Sequence, residues 1–190
     1  MKAIANIYFT IAQLRNREAM VVGMDAEVCL WTLEAARDSL HKLNVIARKI
    51  VMHLIIYTDG GARGNPGPAG AGVVIYQEKG DGEELAEEFG KYIGEATNNV
   101  AEYTALLLAI QRAREMGATS IDFMMDSELV VRQMKREYKV KDAGLAVLFV
   151  KVWNEIPHFK KVTFTHIPRE KNKAADKMVN EAIDKARARH

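Results

Sequence analysis

The sequence has few of the features that mark secreted, membrane or zinc-binding proteins. Its 190 residues include a single cysteine, Cys29, which excludes a disulfide within the chain, and no Cys/His spacing suits structural zinc. The apolar runs fall far short of the roughly 18 residues that a membrane span needs. The first residues also lack the basic segment and apolar core of a signal peptide. These absences predict a soluble protein of the cytoplasm.

Net charge is also low. The formal charge is +2 at pH 7, which is too small to indicate a nucleic-acid binder. Seven basic and five acidic residues lie among the first 51 positions, so the rest of the chain is neutral. A polyanion bound there would need local basic groups, backbone amides or metal ions. The composition is otherwise that of a globular protein, with 48% apolar and 27% charged residues.

The first 51 residues predict a helical hairpin that is distinct from the remaining chain. Residues 2–19 and 26–49 have helical patterning, and the second segment carries apolar residues three and four apart on one face. A hairpin of this kind cannot bury its apolar stripe alone. We expect it to pack against a second copy, as a homodimerisation or accessory element, or else against residues 52–190.

From Met52 the pattern changes to alternating strands and helices, which is typical of an α/β domain. The first three predicted strands should form a meander, with turns at 60–68 and 80–82. The predicted strands are 53–58, 69–78, 84–92, 120–125 and 161–166, and the predicted helices are 98–116, 127–136, 142–156 and 172–188.

Four acidic residues stand at the boundaries of these elements. They are Asp59, Glu102, Asp126 and Asp176. Two follow short apolar strands and two fall on helices, so a parallel strand pair could bring all four to the carboxyl edge of the sheet, where open α/β sheets bind ligands. Oxygen-rich clusters suit Mg²⁺ or Mn²⁺. The sequence therefore predicts a divalent metal site, and it leaves the choice between these ions open.

A glycine-rich segment follows the first acid. Gly60 and Gly61 begin it, and because glycine has no side chain, backbone there could approach a substrate closely. The alternative interpretation is an ordinary hairpin turn.

Four motifs that contain these acids, taken in order, resemble the type 1 ribonuclease H family over residues 52–188. The motifs are Tyr57 to Gly72, Thr97 to Glu102, Asp126 to Val131 and His166 to Asp176. The resemblance implies a five-stranded mixed sheet with an antiparallel second strand, flanked by helices. It also implies an endonuclease that cuts the RNA strand of RNA/DNA hybrids with two divalent ions and leaves 5′-phosphate and 3′-hydroxyl ends.

The resemblance also implies roles for single residues. The four acids match the family's metal-binding carboxylates, and His166 matches a mobile histidine that transfers protons; a structural role is the alternative for this histidine. Family positions that contact the hybrid are matched by Asn65, Asn98 and Asn99, and a phosphate-pocket position is matched by Thr97. The further candidate substrate contacts are Gly60, Gly61, Ser127 and Glu128. Turn formation and helix capping are the alternative roles for the Asn and Thr residues.

The chain departs from the family pattern in two places. Residues 135–142 pass directly to the next helix, so the long basic protrusion of some members is missing, and weaker hybrid binding is expected. Glu128 replaces a glutamine of better-known members. Two rival functions stay open, namely another metal nuclease of the superfamily, such as an exonuclease or junction resolvase, and a silent hybrid-binding scaffold.

Overall fold

The computed structural model describes Arg37, residues 52–80 and residues 82–188. The chain divides into two compact units, Met1–Lys49 and Ile50–His190. The predicted helical hairpin and its self-association lie outside the described residues and stay predictions. In the part of the chain that is described, no helix is both long enough and apolar enough to cross a membrane.

The second unit contains five strands and four α-helices among its described residues. The strands are β1 His53–Ala62, β2 Gly67–Lys79, β3 Gly82–Ala96, β4 Ser120–Met125 and β5 Lys161–His166. The helices are α1 Asn98–Glu115, α2 Glu128–Met134, α3 Ala143–Glu155 and α4 Lys173–Arg187. Short 3₁₀ turns cover Ile156–His158 and Arg169–Lys171.

The strands form one mixed sheet in the order β3-β2-β1-β4-β5. β2 is antiparallel to both of its neighbours, whereas β4 pairs in parallel with β1 and β5. The predicted five-stranded sheet with an antiparallel second strand is therefore confirmed. Since β1, β4 and β5 run in parallel, their carboxyl ends meet at the same edge, with Thr58 opposite Met125 and Met125 opposite His166.

Helices cover both faces of the sheet. On one face, buried side chains of β1, β2, β4 and β5 pack with α1, α2 and α3 into the main core, which includes Ile56, Tyr103 and Phe123. On the other face, α4 lies against β1, β2 and β3. Burial in β4 alternates residue by residue, as expected for a strand with one face in the core. Each large apolar side chain buried here contributes roughly 1.5–3 kcal/mol.

The glycine-rich segment is mostly strand, so the predicted turn at 60–68 is wrong in extent. Antiparallel pairing continues past Asp59, which faces Gly72, to Ala62, which faces Ala69. Only residues 63–66 lie outside the strands. The reason is that small residues on both strands allow the ladder to continue, and ladder hydrogen bonds outweigh the turn preference of glycine at these positions.

Candidate metal centre

The four predicted acids line one open cleft of about 300 Å³ at the carboxyl edge of β1 and β4. Asp59 lies on β1, Asp126 follows β4 directly, Glu102 lies on α1, and Asp176 lies in the first turn of α4. One carboxylate oxygen each of Asp59, Glu102 and Asp126 lies within 4.8 Å of the others. The structure therefore brings the four acids to a single cleft, and three of them to the distance that one cation could span.

Glu102 reaches Asp59 because α1 begins close to β1. The Thr97 hydroxyl caps this helix by accepting a hydrogen bond from the Val100 amide at 3.4 Å. Gly60 is buried beneath the helix, where a Cβ atom would overlap the backbone of Ala101 and Glu102. The close approach that requires a glycine here is therefore made by α1, and substrate contact at Gly60 stays a prediction.

A second close approach positions Asp176. Gly72 of β2 faces Asp59 across the ladder, and a Cβ atom at Gly72 would overlap the carbonyl oxygen of Ala175. Because glycine has no side chain, the first turn of α4 lies directly on β2 at Gly72, and this contact places Asp176 at the cleft.

Burial and mutual repulsion dominate the electrostatics of the inner part of the site. Asp59 and Glu102 are 7% and 5% exposed. Burial, followed by the charges of Asp126 and Asp176, raises the pKa of Asp59 to about 7. Burial, followed by the charge of Asp59, raises the pKa of Glu102 well above its ordinary value. Without a cation, the site therefore favours protonated carboxyl groups.

These residues fit a divalent cation. The Oε2 atom of Glu102 is buried without a hydrogen-bond partner among the described residues, and an orphaned carboxylate oxygen of this kind is costly unless a cation or donor meets it. The three clustered donors are all carboxylate oxygens, which suit hard divalent ions such as Mg²⁺ and Mn²⁺. Two divalent charges would offset the repulsion that raises the carboxyl pKa values.

Asp126 is oriented by a buried asparagine. The Nδ2 group of Asn172 donates to Asp126 Oδ1 at 2.9 Å and to the Thr58 carbonyl oxygen at 2.9 Å. Asn172 is 1% exposed and directly precedes α4. One side chain thus links the end of β1, the residue after β4 and the start of the helix that carries Asp176.

Asp176 differs from the other acids because both of its carboxylate oxygens have partners. Its Oδ1 accepts from Arg169 Nη2 at 3.1 Å. Its Oδ2 accepts from Asn180 Nδ2 at 3.1 Å, one turn further along α4. Arg169 and Asn180 also line the cleft.

The residues predicted to contact substrate divide into two groups. Asn98 lines the cleft, accepts from the Ala62 amide at 3.3 Å, and donates its own amide to Asn65 Oδ1 at 3.3 Å. Gly61 also lines the cleft, and Asn99 is exposed beside it in α1. This group forms a continuous rim between the β1–β2 turn and the start of α1.

The second group lies at the ends of β4 and β5. Ser127 is the N-cap of α2 without a side-chain capping bond, and Glu128 pairs with Arg132 at 2.8 Å. His166 is exposed at the end of β5 and is not among the residues that line the cleft. The structure therefore does not bring His166 into the carboxylate cluster, and its catalytic role stays a prediction.

Sequence reasoning missed three polar residues of the site, namely Arg169, Asn172 and Asn180. Asn180 could have been found, because a residue four positions after Asp176 on a helix shares its face. Arg169 and Asn172 lie inside a motif that was already identified, but only the fold shows that their side chains reach Asp176 and Asp126.

Comparisons with known proteins agree with this geometry. A family model described as reverse transcriptase-like matches residues 57–182. A bifunctional protein of Mycobacterium tuberculosis is 42% identical over 135 residues, which are 71% of this chain and 36% of that protein. The chain thus spans about a third of the length of the first curated relatives that it matches.

Two solved structures are similar over nearly their whole length. RNase H1 from the archaeon Halobacterium salinarum has 39% identity and a TM-score of 0.66, covering 70% of this chain and 98% of that one. LC11-RNase H1, solved in complex with an RNA/DNA hybrid, has 52% identity and a TM-score of 0.65, with coverage of 70% and 98%.

The mixed sheet and its carboxylate cleft define a domain of the nuclease type with a site suited to a divalent metal. More narrowly, the chain belongs to the type 1 ribonuclease H family, as the sequence motifs predict. The predictions of the fold and of the family are confirmed.

Proposed function

We propose that this chain is an endonuclease that hydrolyses the RNA strand of RNA/DNA hybrids with two divalent ions, Mg²⁺ or Mn²⁺, and leaves 5′-phosphate and 3′-hydroxyl ends. The observation that carries the proposal is the cluster of Asp59, Glu102 and half-buried Asp126, in which one carboxylate oxygen of each residue lies within 4.8 Å of the others. The relative solved with an RNA/DNA hybrid supports the choice of substrate. Action in the cytoplasm and self-association through residues 1–51 belong to the same proposal.

The ions would be held by Asp59, Glu102, Asp126 and Asp176. When bound, divalent ions make a water molecule nucleophilic and offset the charge on the departing 3′ oxygen. The acids must release protons to hold them, since the pKa of Asp59 is raised to about 7 and that of Glu102 is raised as well. Metal binding should therefore release protons and tighten as pH rises.

The protein side chains position the substrate and these acids. Asn172 fixes Asp126 from within the core. The rim formed by Asn65 and Asn98 presents amide groups suited to phosphate and sugar oxygens, with Gly61, Thr97 and Asn99 nearby. Glu102 would lie near a ribose 2′-hydroxyl, the group that distinguishes RNA from DNA. Ser127 and Glu128 would contact the hybrid beyond Asp126.

His166 would act from outside the cluster. Its exposed position at the end of β5 suits a side chain that carries protons between the reacting groups and solvent. A general acid–base contribution of this kind is worth about 10²- to 10⁴-fold. The His166→Ala variant should therefore cleave more slowly while its affinity for Mn²⁺ stays that of the wild type.

The decisive experiment is cleavage of an end-labelled RNA/DNA hybrid in Mg²⁺ and in Mn²⁺, with RNA/RNA and DNA/DNA duplexes in parallel. The matched variants are Asp59→Asn and, as control, Asp122→Asn, which changes a carboxylate elsewhere in the sheet that already has partners in His53 and Thr163. We expect internal cuts in the RNA of the hybrid that only Asp59→Asn abolishes. Cleavage of DNA/DNA duplexes would indicate the rival class of metal nuclease.

A further inference from the structure

Within the described part of the chain, no other acid of the cleft has the hydrogen-bond arrangement of Asp176. It lies outside the group of carboxylates whose oxygens approach within 4.8 Å, and its two oxygens accept from Arg169 and Asn180. A cation that binds Asp176 through Oδ1 must therefore compete with the guanidinium of Arg169. The competitor is a side chain of the same cleft.

Arg169 is held loosely at this contact. It lies in the 3₁₀ turn between β5 and α4, and its side chain is 77% exposed. Among the described residues, its one hydrogen bond runs from Nη2 to Asp176 Oδ1 at 3.1 Å. A guanidinium has five N–H donors in a planar fork, so most of the group is free to bind a second oxyanion. Its preferred geometry suits a phosphate.

We propose that Arg169 is a movable counterion that pairs with Asp176 in the empty cleft and turns to a phosphate when nucleic acid binds, which opens Asp176 to a metal ion. This inference rests on the proposed function. Release of Arg169 frees Asp176 Oδ1 for a cation, and the phosphate replaces the carboxylate as the partner of the guanidinium. Nucleic acid and metal thereby favour each other's binding through one side chain, and the coupling is reciprocal.

The charges of the cleft favour this exchange. The guanidinium lowers the repulsion among the carboxylates while no cation is present. A divalent ion replaces that positive charge more effectively, and it leaves Arg169 beside an entering phosphate. Because the pair is largely exposed, its effect on either equilibrium is small, at most about fivefold. The pair is thus weak enough to open during each binding event.

The test compares the 190-residue wild-type chain with Arg169→Gln, Arg169→Lys and Arg114→Gln. Arg114 pairs with Glu155 at the same distance of 3.1 Å, but it lies near the far end of α1. The Arg114→Gln variant therefore removes one positive charge at a place remote from the cleft. Mn²⁺ affinity is measured by titration calorimetry without nucleic acid. Affinity for an end-labelled RNA/DNA hybrid is measured in EDTA, where no cleavage occurs, over a range of salt concentrations.

Opposite changes in the two affinities are expected for Arg169→Gln. Mn²⁺ should bind up to about fivefold more tightly, because its competitor for Asp176 is gone. The hybrid should bind more weakly, and the slope of log affinity against log salt should fall by about 0.9, the loss of one phosphate contact. Arg169→Lys should retain most of the salt slope, and Arg114→Gln should match the wild type in both measurements.

Two results would overturn the inference. Weaker Mn²⁺ binding by Arg169→Gln would mean that Arg169 orients Asp176 for metal and does not compete with it. An unchanged hybrid affinity and salt slope would mean that the guanidinium does not meet a phosphate. Failure of the wild type itself to bind Mn²⁺ or hybrid would instead contradict the proposed function, so the two failures are distinguishable.

Discussion

The two helices that carry acids into the cleft hold them in contrasting surroundings. Glu102 of α1 is buried, and its Oε2 has no partner among the described residues. Asp176 of α4 is half-exposed and accepts hydrogen bonds at both oxygens. The difference shows how one site can combine a fixed part with an adjustable part. Glu102 and Asp59 are here called the buried pair. Their carboxylates repel each other, and bound protons or a metal ion relieve this repulsion. The charge of Asp176 is instead balanced by the exposed guanidinium of Arg169.

The largest effect is expected when a member of the buried pair loses its charge. Asp59→Asn should abolish hybrid cleavage and, at pH 8 in EDTA, make the folded chain more stable by up to about 4 kcal/mol, since a pKa raised from 3.8 to about 7 represents that much strain. Urea unfolding of wild type and variant measures this gain. Asp122→Asn, which changes a carboxylate with partners, should gain nothing, and a less stable Asp59→Asn protein would contradict the comparison.

The same strain has a definite pH dependence. Because the pKa of Asp59 is raised in the folded state, the folded chain binds a proton more tightly than the unfolded chain between the ordinary carboxyl range and about pH 7. Stability in EDTA should therefore fall as pH rises through this window. Saturating Mn²⁺ should remove much of this decrease in stability with pH. The Asp59→Asn variant should lack the share of the decrease that the Asp59 carboxyl group causes.

The next largest effect tests the close approach that brings Glu102 to Asp59. Gly60→Ala should cost about 3 kcal/mol of folding stability, because the new methyl group overlaps the backbone of α1 and forces the helix away. Thermal unfolding measures the loss. Gly82→Ala is the control, since a Cβ atom there meets nothing within 4 Å, and it should be neutral or slightly stabilising. Equal stability of the two variants would refute the packing role of Gly60.

A smaller effect is expected from the buried asparagine that joins the two parts of the site. Asn172→Ala removes the donor to Thr58 and Asp126, and a buried unsatisfied carbonyl of this kind costs about 2 kcal/mol. Mn²⁺ affinity should fall as well, because Asp126 is no longer oriented. Asn180→Ala, which changes an exposed asparagine, should leave stability within about 0.5 kcal/mol. Unchanged metal affinity in Asn172→Ala would contradict the orienting role.

The smallest effect on stability is expected at the adjustable acid. Asp176→Asn should abolish cleavage yet change stability in EDTA by less than about 1 kcal/mol, because it loses only an exposed ion pair. Comparison with Asp59→Asn under identical conditions tests the contrast directly. A gain in stability as large as that of Asp59→Asn would show that the charged carboxylates of both acids destabilise the folded chain equally.

Much of this arrangement could be predicted from sequence because the signals are local. Alternating and helical periodicities predict the element order, and acids at element boundaries predict the carboxyl-edge site. The family motifs then supply the antiparallel second strand. These inferences need only neighbours along the chain, or a pattern that resembles known proteins.

The parts that could not be predicted depend on contacts distant in sequence. The glycine-rich segment continues as strand because β2 pairs with it, which local turn preference cannot reveal. Arg169 and Asn172 acquire roles only when α4 lies on the sheet. The sequence around Asn172 does not reveal whether this asparagine donates hydrogen bonds in the core or merely caps a helix.

The hydrogen bond from Asn172 to the Thr58 carbonyl joins residues 114 positions apart. Contacts of such long sequence separation carry a large loop-closure entropy and tend to form slowly. We therefore expect the carboxylate site to assemble late on the folding pathway, after the local hairpins and helices. Partly folded chains then carry all four acids without bringing them together, so the proposed nuclease activity begins only when folding of the domain is complete.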